Sequence, residues 1–299
     1  MTGPGRTAPS AERAVVVGVD ASEAAARAVR FAADEARRRG TPLRIVHAIT
    51  WFDDMSYPYS ELDVPDLMNA GARTLLQSML ALVSDSVPAD RVSTTAVDGH
   101  PIDVLVAASQ HASLLVIGGR GVGGLAGLLL GSTAHGVVAH AACPVVVLPD
   151  DTAVRARDRR SVVVGVRGRE DDEVLAFAFA DAAARGTDLV AVHAWQDVVL
   201  DTAFLTTSPL VDWAGVQADE ERVLAEALAG WSEKQPDVVL RKVVIRERAS
   251  RALVEASLTA ELLVLGRSRR RILGSTTHGA LQKAACPVAV IPFPGDGTG

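Results

Sequence analysis

The chain repeats itself, and that constrains its fold more than any other feature. AVVVGVD at 14–20 returns as SVVVGVR at 161–167, LRIVHAI at 43–49 as LVAVHAW at 189–195, and ACPVVVLP at 142–149 as ACPVAVIP at 285–292. The offsets are 147, 146 and 143 residues, in unbroken order. Three ordered matches at nearly constant spacing define a tandem duplication. The expected organisation is a disordered tail at 1–12, a first domain at 13–150, a polar linker at 151–160, a second domain at 161–294 and a short tail at 295–299.

Within each half, apolar runs of four to six residues alternate with longer amphipathic stretches. Runs such as VVVG and LLVIG have no polar alternation, which marks strands buried on both faces of a parallel sheet. After the first of them, SEAAARAVRFAADEARRRG reads as a helix. Ser22 can cap it, Ala25, Val29, Ala32, Ala33 and Ala36 share one face, and three arginines precede Gly40. A further helix is expected near 66–84, and Pro101 opens another. Regular strand–helix alternation gives an α/β fold: two tandem doubly wound domains, each with a five-stranded parallel sheet of Rossmann-like type.

Composition narrows the function. Net charge is −6 and the basic runs are short, so a nucleic-acid partner lacks its electrostatic footprint. Two cysteines, Cys143 and Cys286, do not make a secreted disulfide framework, and the first residues carry no apolar leader. A cytoplasmic protein is expected. Residues 121–149 lack formal charge over a length that could span a bilayer, but glycines, Ser132, Thr133 and Pro144 break the run. No membrane insertion is expected.

GGRGVGGLAGLLLGST, at 118–133, is the stretch with chemistry in it. Seven of its sixteen residues are glycine, and it stands between a strand and a helix that starts at Ser132 and Thr133. Glycines let backbone amides approach an anion, and a helix N-terminus with hydroxyls favours phosphate. A plain surface loop is the alternative. The stretch is not a P-loop: it has no GxxxxGK[ST], and residues 1–150 contain no lysine. Nor does a GxGxxG follow the first strand.

Gly118-x2-Gly121-x9-Gly131-Ser132, followed by CPVVVLP, resembles the ATP-binding signature of the universal stress protein family. VVVGVDAS, VHA and DGHPIDVLV extend the resemblance over nearly the whole first half, with eroded counterparts in the second. The resemblance implies a tandem, adenine nucleotide alpha hydrolase-like protein that binds ATP, accompanied by Mg²⁺. It implies that Asp20 faces the ribose and the phosphate-bound metal, and that the Ala48 backbone reads the adenine edge. Gly118, Arg120, Gly121 and Gly124 would line the phosphate and ribose, and Gly131, Ser132 and Thr133 would hold the phosphates. It also implies antiparallel pairing of the two fifth strands within the chain, with a homo-oligomer as a further option. That pairing would set Cys143 and Cys286 at opposite ends of the strand pair.

The second half departs from the pattern. Its string is GRSRRRILGSTTHG, with Arg167 at the place of Asp20 and a loop five residues shorter. Its arginines are expected to be solvated, the alternative being a rebuilt anion site in which guanidinium groups replace backbone amides, and nucleotide is expected to bind in the first half only. His47 and His193 read as hydrogen-bonded strand residues, with no carboxylate at a spacing that would partner them. No nucleophile or general base stands near the glycine stretch, so the expected role is stress-linked nucleotide binding rather than catalysis. Slow ATP hydrolysis and an interaction scaffold are the alternatives.

Overall fold

The structure is a computed structural model, described over residues 13–50, 64–121, 130–149, 161–196, 212–267 and 273–293. Strand β1 (Ala14–Gly18) leads to helix α1 (Glu23–Arg39), β2 (Leu43–Ile49), α2 (Val64–Ala81), β3 (Val92–Asp98), α3 (Pro101–Ser109), β4 (Ala112–Gly118), α4 (Ser132–His140) and β5 (Val145–Leu148). The second half follows the same order. It comprises β6 (Ser161–Gly165), α5 (Asp172–Arg185), β7 (Asp188–Trp195), α6 (Trp213–Ala227), the one-turn α7 (Trp231–Lys234), β8 (Leu240–Arg246), α8 (Ala249–Ala256), β9 (Ala260–Gly266), α9 (Ser275–Lys283) and β10 (Val288–Ile291).

Local chemistry sets these boundaries. Ser22 caps α1 by accepting from the Ala25 amide at 3.1 Å, and Gly40 ends it at a φ of 65°, the left-handed geometry that favours glycine. Pro101 occupies the first turn of α3, where no intrahelical N–H is needed. The expected α1 face, Ala25, Val29, Ala32, Ala33 and Ala36, is buried.

The strands form one ten-stranded sheet in the order β3-β2-β1-β4-β5-β10-β9-β6-β7-β8. Pairing is parallel within each half. At the centre β5 and β10 run antiparallel, Val146 facing Ala289. This is the expected junction, and its register sets Cys143 and Cys286 at opposite ends; both are free thiols. One apolar layer, with Val15, Val17, Leu43, Leu114, Phe179, Leu189 and Leu262, lies under α1, α2, α5 and α6. The other, with Val16, Leu115, Val137, Val145, Leu263 and Val290, lies under α3, α4, α8 and α9. Each fully buried Leu, Ile or Phe contributes about 1.5–3 kcal/mol. No helix among the described residues is long and apolar enough to cross a membrane.

The halves also meet through side chains. On one face of the sheet, Arg39 bonds Glu35 at 3.1 Å and Asp181 at 3.0 Å, while Arg185 bonds Asp181 at 2.5 Å and Glu35. The Arg39 guanidinium lies over Phe177 and that of Arg185 over Phe31, 5.0 and 5.9 Å from the ring centroids. Each half thus contributes an acid, an arginine and a phenylalanine, exchanged about a pseudo-two-fold axis. Glu35 and Asp181 are almost wholly buried. Burial opposes ionisation of Glu35, but Arg185, Arg38 and Arg39 outweigh it and hold its pKa below the ordinary 4.5.

Candidate functional site

In the first half the strand order reverses between β1 and β4, the place where doubly wound sheets open a crevice beyond their carboxyl ends. A cavity of about 460 Å³ lies there. Three segments wall it: the turn after β1 with Asp20 and Ser22, the end of β2 with His47 and Ala48, and the segment after β4 with Gly118, Gly119, Arg120 and Gly121. Gly131, Ser132, Thr133 and Ala134, at the start of α4, close the fourth side. Every expected site residue within the described part of the chain is therefore at one cavity: Asp20, Ala48, Gly118, Arg120, Gly121, Gly131, Ser132 and Thr133. Gly124 lies outside the described residues.

Each wall has a local cause. Ser22 donates to Asp20 Oδ1 from its backbone N at 3.0 Å and from its hydroxyl at 2.5 Å while capping α1, so the cap that starts the helix also fixes the carboxylate. A Cβ on Gly121 would stand 2.4 Å from Asp20 Oδ2, so only glycine lets that backbone pass beside the acid. The Gly131 amide donates to the Gly119 carbonyl at 2.8 Å, tying the start of α4 to the end of β4. No side-chain hydrogen bond caps the first turn of α4 at Gly131, which leaves its first amides without a capping acceptor, and Ser132, Thr133 and Ala134 line the cavity. Gly118 has a different reason to be bare: a Cβ there would press on Ala24 of α1 at 2.9 Å. Helix packing fixes that glycine.

The expected metal can be judged by its donors. Asp20 presents a hard oxygen ligand, and no group of three or more His, Cys, Asp or Glu that could hold a metal occurs among the described residues. One carboxylate at the wall of this cavity fits Mg²⁺, which is commonly held by one or two carboxylates together with phosphate oxygens and water.

The second half is built differently at the same place. Arg167, where the first half has Asp20, donates to Asp171 Oδ1 from Nε at 3.2 Å and Nη2 at 2.5 Å. Its backbone N reaches Asp171 Oδ2 at 2.6 Å, and its guanidinium lies 5.1 Å from the Phe293 ring centroid. Nη2 would be 3.2 Å from a Cβ on Gly266, so the side chain lies across the strand end that opens the cavity at Gly118 in the other half. Two sequence expectations are corrected here. Arg267, the first arginine of the run, is 2% exposed rather than solvated, and donates from Nη1 to the Val138 and Ala141 carbonyls at 3.3 and 2.7 Å. His193 does have a carboxylate partner: its Nδ1 donates to the Val166 carbonyl at 2.9 Å, and its Nε2 lies 2.7 Å from Glu220 of α6. His47 repeats the first bond, donating from Nδ1 to the Val19 carbonyl at 2.9 Å, and has no carboxylate partner among the described residues.

Sequence reasoning missed Asp171 and Glu220. Asp171 carried a faint signal, an acidic run in place of a small-residue turn. Glu220 carried none, because the contact joins a strand to a helix across 27 residues.

A duplicated doubly wound sheet, joined through its fifth strands and opening a glycine-walled cavity at the first half's strand-order switch, defines the structural class: a tandem α/β protein of Rossmann-like type. The chain belongs to the universal stress protein family, whose model matches residues 12–149 and again 158–292. It is 37% identical over 293 residues to universal stress protein Rv2623 of Mycobacterium tuberculosis, covering 92% of this chain and 95% of that one. The crystal structure of a universal stress protein from Archaeoglobus fulgidus shares the fold over 95% of this chain and 97% of its own, with a TM-score of 0.65 at 19% identity. A universal stress protein solved in complex with cAMP matches 47% of this chain and 98% of its own, at 29% identity and a TM-score of 0.36.

Proposed function

We propose that this protein binds one adenine nucleotide per chain, ATP with Mg²⁺, in the first-half cavity, and that occupancy rather than turnover is its output in a cytoplasmic stress response. The observation that carries this reading is convergence. Eight residues scattered from Asp20 to Thr133 wall one cavity, whose size suits a small ligand. An uncapped helix start with two hydroxyls supplies several donors to negative charge, which favours a polyphosphate over a monophosphate. Asp20 would repel a bare triphosphate, and a bridging cation turns that repulsion into a contact. In the second half, Arg167 lies where the ligand would enter, which supports a single site.

Calorimetric titration tests the reading. ATP with Mg²⁺ is expected to bind one per chain, more tightly than AMP, and Gly131→Asp, which sets a carboxylate among the phosphate donors, is expected to abolish binding. Two equivalent sites, or binding untouched by Gly131→Asp, would overturn it. Many turnovers of ATP per minute would replace the binding role with an enzymatic one.

A further inference from the structure

The helix that begins at the cavity ends on a residue of the other half. Helix α4 carries Ser132 and Thr133 at its first turn, and the carbonyls of Val138 and Ala141 at its far end receive Arg267 Nη1. The last carbonyls of a helix lack intrahelical donors, and a buried cation there satisfies them and complements the helix dipole. Because β5 and β10 run antiparallel, the carboxyl ends of the two sets of strands lie at opposite rims of the sheet. The helix therefore spans the slab, from the first-half cavity at one rim to the end of β9 at the other.

The link runs one way. Arg267 occupies the position that Gly119 has in the first half: its amide donates to the Ile291 carbonyl at 2.8 Å, as the Gly119 amide does to Leu148 at the same distance. Gly119 has no side chain to send back to α9. A second contact lies along the helix, where His135 meets His278 of α9 edge to face, ring centroids 6.1 Å apart. A nine-residue helix fixed at one end by a buried guanidinium moves as a rod, so a shift at the Arg267 end displaces Ser132 and Thr133.

We propose that Arg267 is a positioning residue for the nucleotide site, and that through it the second half sets the affinity of the first. The proposal deepens the reading of the cavity given above and rests on it. The state of the β9 end, at the second half's own rim, is thereby linked to nucleotide occupancy, and by reciprocity nucleotide tightens that end.

The test compares the full chain with Arg267→Met, which keeps the length and loses the donors, and Arg267→Lys, which keeps a cation. Each is titrated with ATP and Mg²⁺ and melted without nucleotide. Arg267→Met is expected to weaken binding about tenfold, in the range by which residues remote from a site modulate it, and Arg267→Lys to recover part of the loss. A merely structural arginine would lower the melting temperature of the nucleotide-free protein and leave the affinity of the folded fraction unchanged, which overturns the proposal. If the wild type binds no adenine nucleotide, the reading of the cavity falls and this proposal with it. Hydrogen exchange on the wild type serves if the variants fail to fold. ATP is expected to slow exchange at the amides of Ala141 and Arg267, and unchanged rates there, with ATP bound, overturn the proposal.

Discussion

Asp20, Ser22 and Gly121 act as one unit. The serine that caps α1 holds the carboxylate, and the carboxylate fills the space a side chain at 121 would need. Gly121→Ala therefore drives a methyl group against an acid that has little freedom to turn. It is expected to weaken ATP binding at least tenfold and to cost about 1–3 kcal/mol of stability, which titration and thermal melting on the same sample check. Cys143 gives a second residue-level prediction. Burial pushes its thiol up to about 12, and it is 5% exposed. At mildly alkaline pH it stays protonated and shielded, so iodoacetamide is expected to spare it in the native protein and alkylate it after denaturation, as mass spectrometry would show. The glycines, Ser132 and Thr133 stood out in the sequence because they cluster in one short string with a local mechanism, whereas Asp20 and Ala48 were pointed to by the family resemblance; all of those described line the one cavity. Arg167 and Arg267 were legible as departures but not as contacts. An arginine on its own looks solvated until the fold brings Asp171 or the end of α4 to it.

Among the elements, the pairing of α1 with α5 carries the clearest energetic consequence. Glu35 is almost wholly buried with three arginines around it, so Glu35→Gln leaves Arg185 with less than its share of negative charge. The expected loss is about 3–5 kcal/mol, the cost of breaking a buried pair by removing one partner. Because the folded pKa of Glu35 lies below its ordinary 4.5, the ionised pair stabilises the protein fully above that value. That contribution is lost as pH falls through the depressed folded value. Urea midpoints of wild type and Glu35→Gln are therefore expected to differ near neutrality and to converge in acid. The strands and most helices were readable from unalternated valine runs and cap residues. Boundaries were softer: α2 ends at Ala81, while the pattern suggested residue 84. The acid–arginine–phenylalanine exchange was invisible, since each triplet sits on the face of its own helix and makes sense only opposite the other.

As a whole, the molecule is one sheet rather than two. Ten strands share a continuous ladder, and the apolar layers on either side contain residues from both halves. Unfolding is expected to follow one cooperative transition, with the midpoint from tryptophan fluorescence, which reports mainly on the second half, matching that from far-UV circular dichroism. Three of the four tryptophans, Trp195, Trp213 and Trp231, lie in the second half, so a two-step melt would separate the probes. The duplication could be anticipated from the repeated strings, and the central antiparallel junction from the resemblance to the universal stress protein family. The one-way tether across that junction could not, because it depends on a single side chain with no counterpart.

The exchanged triplets have a consequence for genetic order. Glu35 with Arg39 and Phe31, and Asp181 with Arg185 and Phe177, offer each other the same three functions. Such a seam is indifferent to which piece ribosomes make first. A transposed gene, encoding the trailing segment ahead of the leading one with a fresh tether between them, should yield the same slab.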